Sequence, residues 1–141
     1  MTLTSEGTTG MELAQGLLQG VGNEWMRAAT RLLGKHRDGY WLRRFLDDQD
    51  PQPDHLLYID RTGTRPSMNW SGISQRLMGE FPLTDKVMIQ GSRSEMAMLR
   101  IAVSLVGAAP VTLQTVLDAL DEREFRLVQA AMVEAVTGVE R

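Results

Sequence analysis

The chain contains no cysteine. That excludes disulfides, iron–sulfur clusters, thiol catalysis and cysteine-based zinc sites, and it fits a reducing compartment. Long apolar runs are also missing. The longest candidate, from Ile101 to Val111, is interrupted by Ser104, Gly107 and Pro110. It falls short of the roughly 20 apolar residues a membrane-spanning helix needs. The first ten residues carry Glu6 and no Lys or Arg. They lack the basic and apolar regions of a signal peptide, so a soluble, cytoplasmic protein is expected. Basic charge is not in excess: the net charge is −3 and the pI is about 5.4. Phosphate loops are absent as well, since neither G-x-x-x-x-G-K-S/T nor G-x-G-x-x-G occurs. There is no G-x-S-x-G elbow, and only two histidines, His36 and His55, could act as a general base.

What is present suits one globular domain. The chain has 141 residues, 43% apolar and 23% charged, close to the average for folded soluble proteins. Residues 1–10 are Thr/Gly-rich and are expected to be flexible; residues 11–138 are expected to form a single helix-rich domain. Ala14, Leu17, Leu18 and Val21 recur at helical spacing, weakened by Gly16, Gly20 and Gly22. Asn23 is placed to cap a second helix carrying Trp25, Ala29, Leu32 and Leu33. A short helix follows with Trp41, Leu42, Phe45 and Leu46. The Asp- and Pro-rich run from Asp47 to Asp54 ends it.

His55 to Asp60 reads as a strand, and Arg65 to Met68 can pair back on it at an edge. Asn69 can cap a helix with Trp70, Ile73, Leu77 and Met78, stopped by Pro82. Lys86 to Gln90 is a candidate third strand. Ser92-Arg93-Ser94-Glu95 is a capping box opening a wide apolar helix through Val106, expected to be the buried centre. Thr112 should cap the next helix. Asp121, with Glu124 in the box position, should cap the last, whose apolar face reads Phe125, Val128, Met132 and Val136, ending at Gly138. The fold class is therefore α+β, predominantly α: five to six helices with a small hairpin or three-stranded sheet. Trp25, Trp41 and Trp70 are expected to close the side of the central helix opposite the last two helices.

Two surface features bear on function. From Met26 to Leu46, six basic residues face one acid, Asp38. Arg27, Arg31 and Lys35 are spaced i, i+4, i+8 and form one helical stripe; Arg43 and Arg44 follow, with Trp25, Tyr40 and Trp41 interleaved. Arginines among aromatics can hold a nucleic-acid backbone and stack its bases. The same pattern also describes an amphipathic helix with tryptophans in the core, and the acidic loop after it could neutralise the patch. The second feature is nine methionines. Methionine makes adaptable binding surfaces as well as core filler, so Tyr40, Trp41, Met68 and Trp70 are candidate protein-contact residues.

Other chemistries find no support. Asp47, Asp48, Asp50 and Asp54 offer hard oxygen ligands. Counted from Asp48, however, the glycine and glutamate positions of an EF-hand loop hold Pro53 and Ile59. A helix-turn-helix over residues 112–136 would aim Asp121, Glu122 and Glu124 at phosphate. No catalytic residue, metal site or cofactor is therefore assigned.

The order Trp41-Leu42-Arg43-Arg44-Phe45, a short strand, Asn69-Trp70, Ser92-Arg93-Ser94-Glu95, then Leu99 to Leu105, Pro110 to Leu113 and Leu120-Asp121 resembles a family. That family is a set of small uncharacterised proteins of actinobacteria and their phages, and the likeness covers roughly Gly22 to Gly138. Asn69 stands where an Asp is expected before the tryptophan. The resemblance implies a bacterial or phage origin and a cytoplasmic setting, and it carries no activity to assign. The leading expectation is a non-enzymatic interaction protein that binds another protein or itself. The alternative is a nucleic-acid-associated protein using Arg27, Arg31, Lys35, Arg43 and Arg44.

Overall fold

A computed structural model describes residues 3–79 and 88–140. Four of the expected helix starts are made as the local chemistry requires, that at Asn69 among them. Asn23 accepts from the Met26 amide and opens α2, Glu24–Lys35. Ser92 and Glu95 close a capping box on α5, Arg93–Leu105. Asp121 and Glu124 do the same for α7, Glu122–Thr137, which ends on left-handed Gly138. A capping box also opens α1, Gly10–Leu18, through Thr9 and Glu12, a signal the sequence reading passed over. Thr112 precedes α6, Leu113–Asp118, but its side chain makes no capping bond.

Between these lie α3, Tyr40–Asp47, and α4, Trp70–Met78, capped by Asn69 and ended by left-handed Gly79. Helix α4 thus stops before Pro82, which lies outside the described residues. The fold is α+β and mainly α, with seven α-helices among the described residues rather than five to six.

The β structure is smaller than expected. Among the described residues only Ile59–Asp60 (β1) and Ser67–Met68 (β2) pair, antiparallel, Ile59 facing Met68 and Asp60 facing Ser67. Asp54 to Leu56 turns as a 3-10 helix instead of extending. Pro53 precedes it, and its carbonyl accepts from the Leu56 amide, closing a turn before the chain can straighten. Of the candidate strand from Lys86 to Gln90, the first two residues lie outside the described part. Met88 to Gln90 form no strand; Ile89 instead donates its amide to the Arg76 carbonyl.

Helix α5 is buried through Met98, Leu99, Ala102 and Val103, as its wide apolar face predicts. It shares the centre with α2, which packs against α1, α3, α5 and α7. Glycine allows one of these crossings: a Cβ on Gly34 would lie 2.8 Å from the Ala14 Cβ and 2.9 Å from the Gly10 carbonyl oxygen. Helices α2 and α7 run antiparallel, because Glu24 reaches Gly138 at one end and His36 reaches Glu124 at the other. One core joins Leu13, Leu17, Leu32, Leu33, Trp41, Ile73 and Leu99. Each such large side chain contributes about 1.5–3 kcal/mol by leaving water.

Candidate functional site

The basic stripe does not form a free cationic surface. Arg27 is half-buried and donates from Nη1 to the Val21 carbonyl at 2.8 Å, just past the end of α1. Arg31 is 6% exposed. Its guanidinium binds the Glu134 carboxylate on α7, and its Nε lies 3.5 Å from Glu140. Lys35 is half-buried. Arg43 reaches Asp38 at 3.0 Å and the carbonyls of Ser5 and Thr8. Ser5 also donates to Asp47. The Thr/Gly-rich N-terminal segment, expected to be flexible, is thus tied to α3. Arg44 lies 4.7 Å from the Trp41 ring centre and donates to the Gln90 carbonyl at 2.6 Å. A phosphate backbone would have to displace these internal acceptors, each a charge-assisted bond.

Two turn residues set up part of this pattern. Arg37 and Asp38 both have positive φ, 47° and 52°, a region that side chains other than glycine seldom enter. The turn aims Asp38 at the α1 amide of Gly10, 2.8 Å away, and Arg37 at Glu95, 2.7 Å away. Burial raises the Glu95 pKa, but the Ser92 hydrogen bonds, the Tyr40 hydroxyl and the Arg37 charge outweigh it. Together they hold Glu95 below the usual carboxylate range.

The acidic loop and the arginines share one polar cleft of about 520 Å³, in which Arg43, Arg44 and Arg76 face Asp47, Asp48 and Asp50. The loop thus faces Arg43 and Arg44, and its Asp48 lies 3.9 Å from Arg76, whereas Arg27 and Arg31 lie outside this cleft. Arg76 was not singled out by sequence reasoning. It is 2% exposed, stacks 3.8 Å from the Tyr58 ring centre and donates to the Leu56 carbonyl. Burial raises the Tyr58 pKa, with Arg76 opposing it.

His36 is fully enclosed, its Nε2 2.8 Å from Glu124 Oε2, while its Nδ1 has no hydrogen-bond partner among the described residues. His55 is exposed. Among the described residues no group of three or more His, Asp or Glu could hold a metal, and no helix is long and apolar enough to cross a membrane.

The aromatic candidates for protein contact divide. Trp41 is in the core and donates its Nε1–H to the Glu95 carbonyl at 2.8 Å. Tyr40 is half-buried, edge-on to Trp41. Trp70 is buried and Met68 half-buried, and both line a shallow hollow with Leu17, Leu18 and Met26.

Sequence reasoning misplaced the outward apolar surface, and α7 shows why. Its buried stripe is Glu124, Val128, Ala131, Glu134 and Ala135. Its exposed side chains include Phe125, Met132, Val133 and Val136. The helix turns Glu124, Glu134, Ala131 and Ala135 inward with Val128, and it turns Phe125, Met132, Val133 and Val136 outward beside the exposed Glu122, Arg123 and Arg126. Of the four residues expected on its core face, only Val128 is buried there. Trp25 also departs from expectation: it is 43% exposed and lies on the same side as α6 and α7, not opposite them. Trp25, Leu113, Phe125 and Met132 form the walls of an apolar groove of about 410 Å³ over Ile101 and Val128. Its polar lining is limited to Ser104 and Gln129.

A signal for this arrangement did exist. Ala131 and Ala135 have the small size that lets two helices approach closely, and Glu124 and Glu134 lie on their side of the helix. No family model, curated protein or solved structure matches the chain.

Proposed function

We propose that the chain is a non-enzymatic interaction protein that contacts another protein chain through the apolar face of α2, α6 and α7. The inverted polarity of α7 carries this reading. A helix that buries two carboxylates and exposes Phe125, Met132 and Val136 has its water-avoiding surface on the wrong side for an isolated molecule. The exposed parts of Trp25, Leu113, Phe125, Met132, Val133, Val136 and Val139 amount to roughly 600 Å², the top of the range of about 300–600 Å² for the largest apolar patch on a monomer. The resemblance to small actinobacterial and phage proteins supports a bacterial or phage setting in the cytoplasm.

Nucleic-acid binding by Arg27, Arg31, Lys35, Arg43 and Arg44 has less support. All four arginines already donate to carbonyls or carboxylates of their own chain. An enzymatic role finds little support too, because His36 is sequestered and the arginines of the polar cleft face carboxylates.

The test is matched capture from host lysate with tagged wild type, Met132→Glu and Arg44→Glu, each with nuclease and at two salt concentrations. Protein captured by wild type and Arg44→Glu but lost with Met132→Glu, in nuclease and high salt, supports the reading. Capture that Met132→Glu leaves intact, or that nuclease abolishes, contradicts it.

A further inference from the structure

We infer that the occupant of this apolar face is a second copy of the same chain, joined about a twofold axis through α7. The inference rests on the interaction reading and names its partner. Three observations carry it.

The first is spacing. Phe125, Gln129, Met132 and Val136 follow one another at intervals of four, three and four residues. All are exposed. That is the repeat with which one helix seats along another, and it runs from the first turn of α7 to its last. A single polar residue within such a seam, here Gln129, favours one register over others.

The second is shape. A twofold interface uses the same patch on both partners, so the patch must hold both a hollow and what fills it. This face has both. The groove between Trp25, Leu113 and Phe125 is the hollow. One turn beyond Met132 on the same helix, Val136 is 73% exposed and Val133 is 40% exposed, an apolar ridge that continues α7 past the groove. The ridge of each copy can enter the groove of the other.

The third is area and charge together. The exposed apolar surface, roughly 600 Å², is most of the about 800 Å² that each partner buries in a standard interface. The groove lining holds no charged residue. The groove itself therefore brings no like charges together between two copies, and the exposed Glu122 and Arg126 at the start of α7 pair with each other at 2.9 Å.

The absence of native cysteine allows a clean test on the full chain. Sedimentation equilibrium from low to high micromolar protein is expected to give a species of twice the 15.7 kDa chain mass. Val136→Asp, at a side chain the folded chain leaves in water, should return it to monomer with its helical circular dichroism intact. Met132→Cys should form a disulfide-linked dimer under mild oxidation, whereas Gln15→Cys, on exposed α1 surface, should not. A wild-type chain that stays monomeric throughout overturns the inference. Protein capture sensitive to Met132→Glu would in that case keep the interaction reading, and insensitive capture would remove both. A dimer that survives Val136→Asp, or that cross-links through Gln15→Cys instead, overturns the assignment of the face.

Discussion

Arg31 lies with almost no exposure between two carboxylates, Glu134 on α7 and Glu140 beyond it. From sequence it is one of three basic residues on a helical stripe, indistinguishable from a phosphate ligand. Its energetic role follows from where it sits. An ion pair out of water is costly to break, because removing one partner leaves the other charge uncompensated. Arg31→Ala is therefore expected to lower unfolding free energy by about 3–5 kcal/mol, while Arg31→Met with Glu134→Leu stays close to wild type. Urea denaturation of the single variant and the double variant checks this. A single Arg31→Ala that melts like wild type would mean that the pair contributes nothing to the fold. His36 and Glu124 hold the other end of the same helix pair. The two contacts explain why α7 buries carboxylates where apolar residues were expected.

Helix boundaries were legible where the signal is local. Asn23, Ser92 with Glu95 and Asp121 with Glu124 were read as caps, and each makes its bond. A cap is satisfied within one turn and needs nothing from the rest of the chain. The Glu95 cap also titrates. Its carboxylate in the fold is held below its ordinary value of 4.5. Its stabilisation is therefore complete above pH 4.5 and is lost as pH falls through the folded-state value. The wild type should lose more stability between neutral and strongly acid pH than Glu95→Gln, in denaturant titrations at both. Equal losses would detach the acid sensitivity from this cap. The facing of α7 was not legible in the same way. The helix has two stripes at helical spacing, one large and apolar and one small with two glutamates. Hydrophobic periodicity favours the first. The position of α2, with Arg31 and His36 as partners for the glutamates, selects the second. Those partners lie 88 and 103 residues away in sequence, beyond any local pattern. The short strand failed for a nearer reason, since Pro53 starts a turn that takes the first residues of the run, His55 and Leu56.

Across the whole molecule, the basic residues and the apolar ones exchange the roles their types suggest. Arginines bind the N-terminal segment, the α1 end, α7 and the acidic loop to the helical core. Large apolar residues on α2, α6 and α7 face outward and form the surface proposed to meet another chain. Trp25 reports on that surface alone, because Trp41 and Trp70 are buried. Acrylamide quenching of tryptophan fluorescence across a protein concentration series tests the account most directly. At low concentration the readily quenched fraction should correspond to one tryptophan of the three. As copies associate, that fraction should disappear, and Val136→Asp should restore it. A quenchable fraction that stays constant from dilute to concentrated protein would contradict the account, because the groove beside Trp25 would then remain open to water.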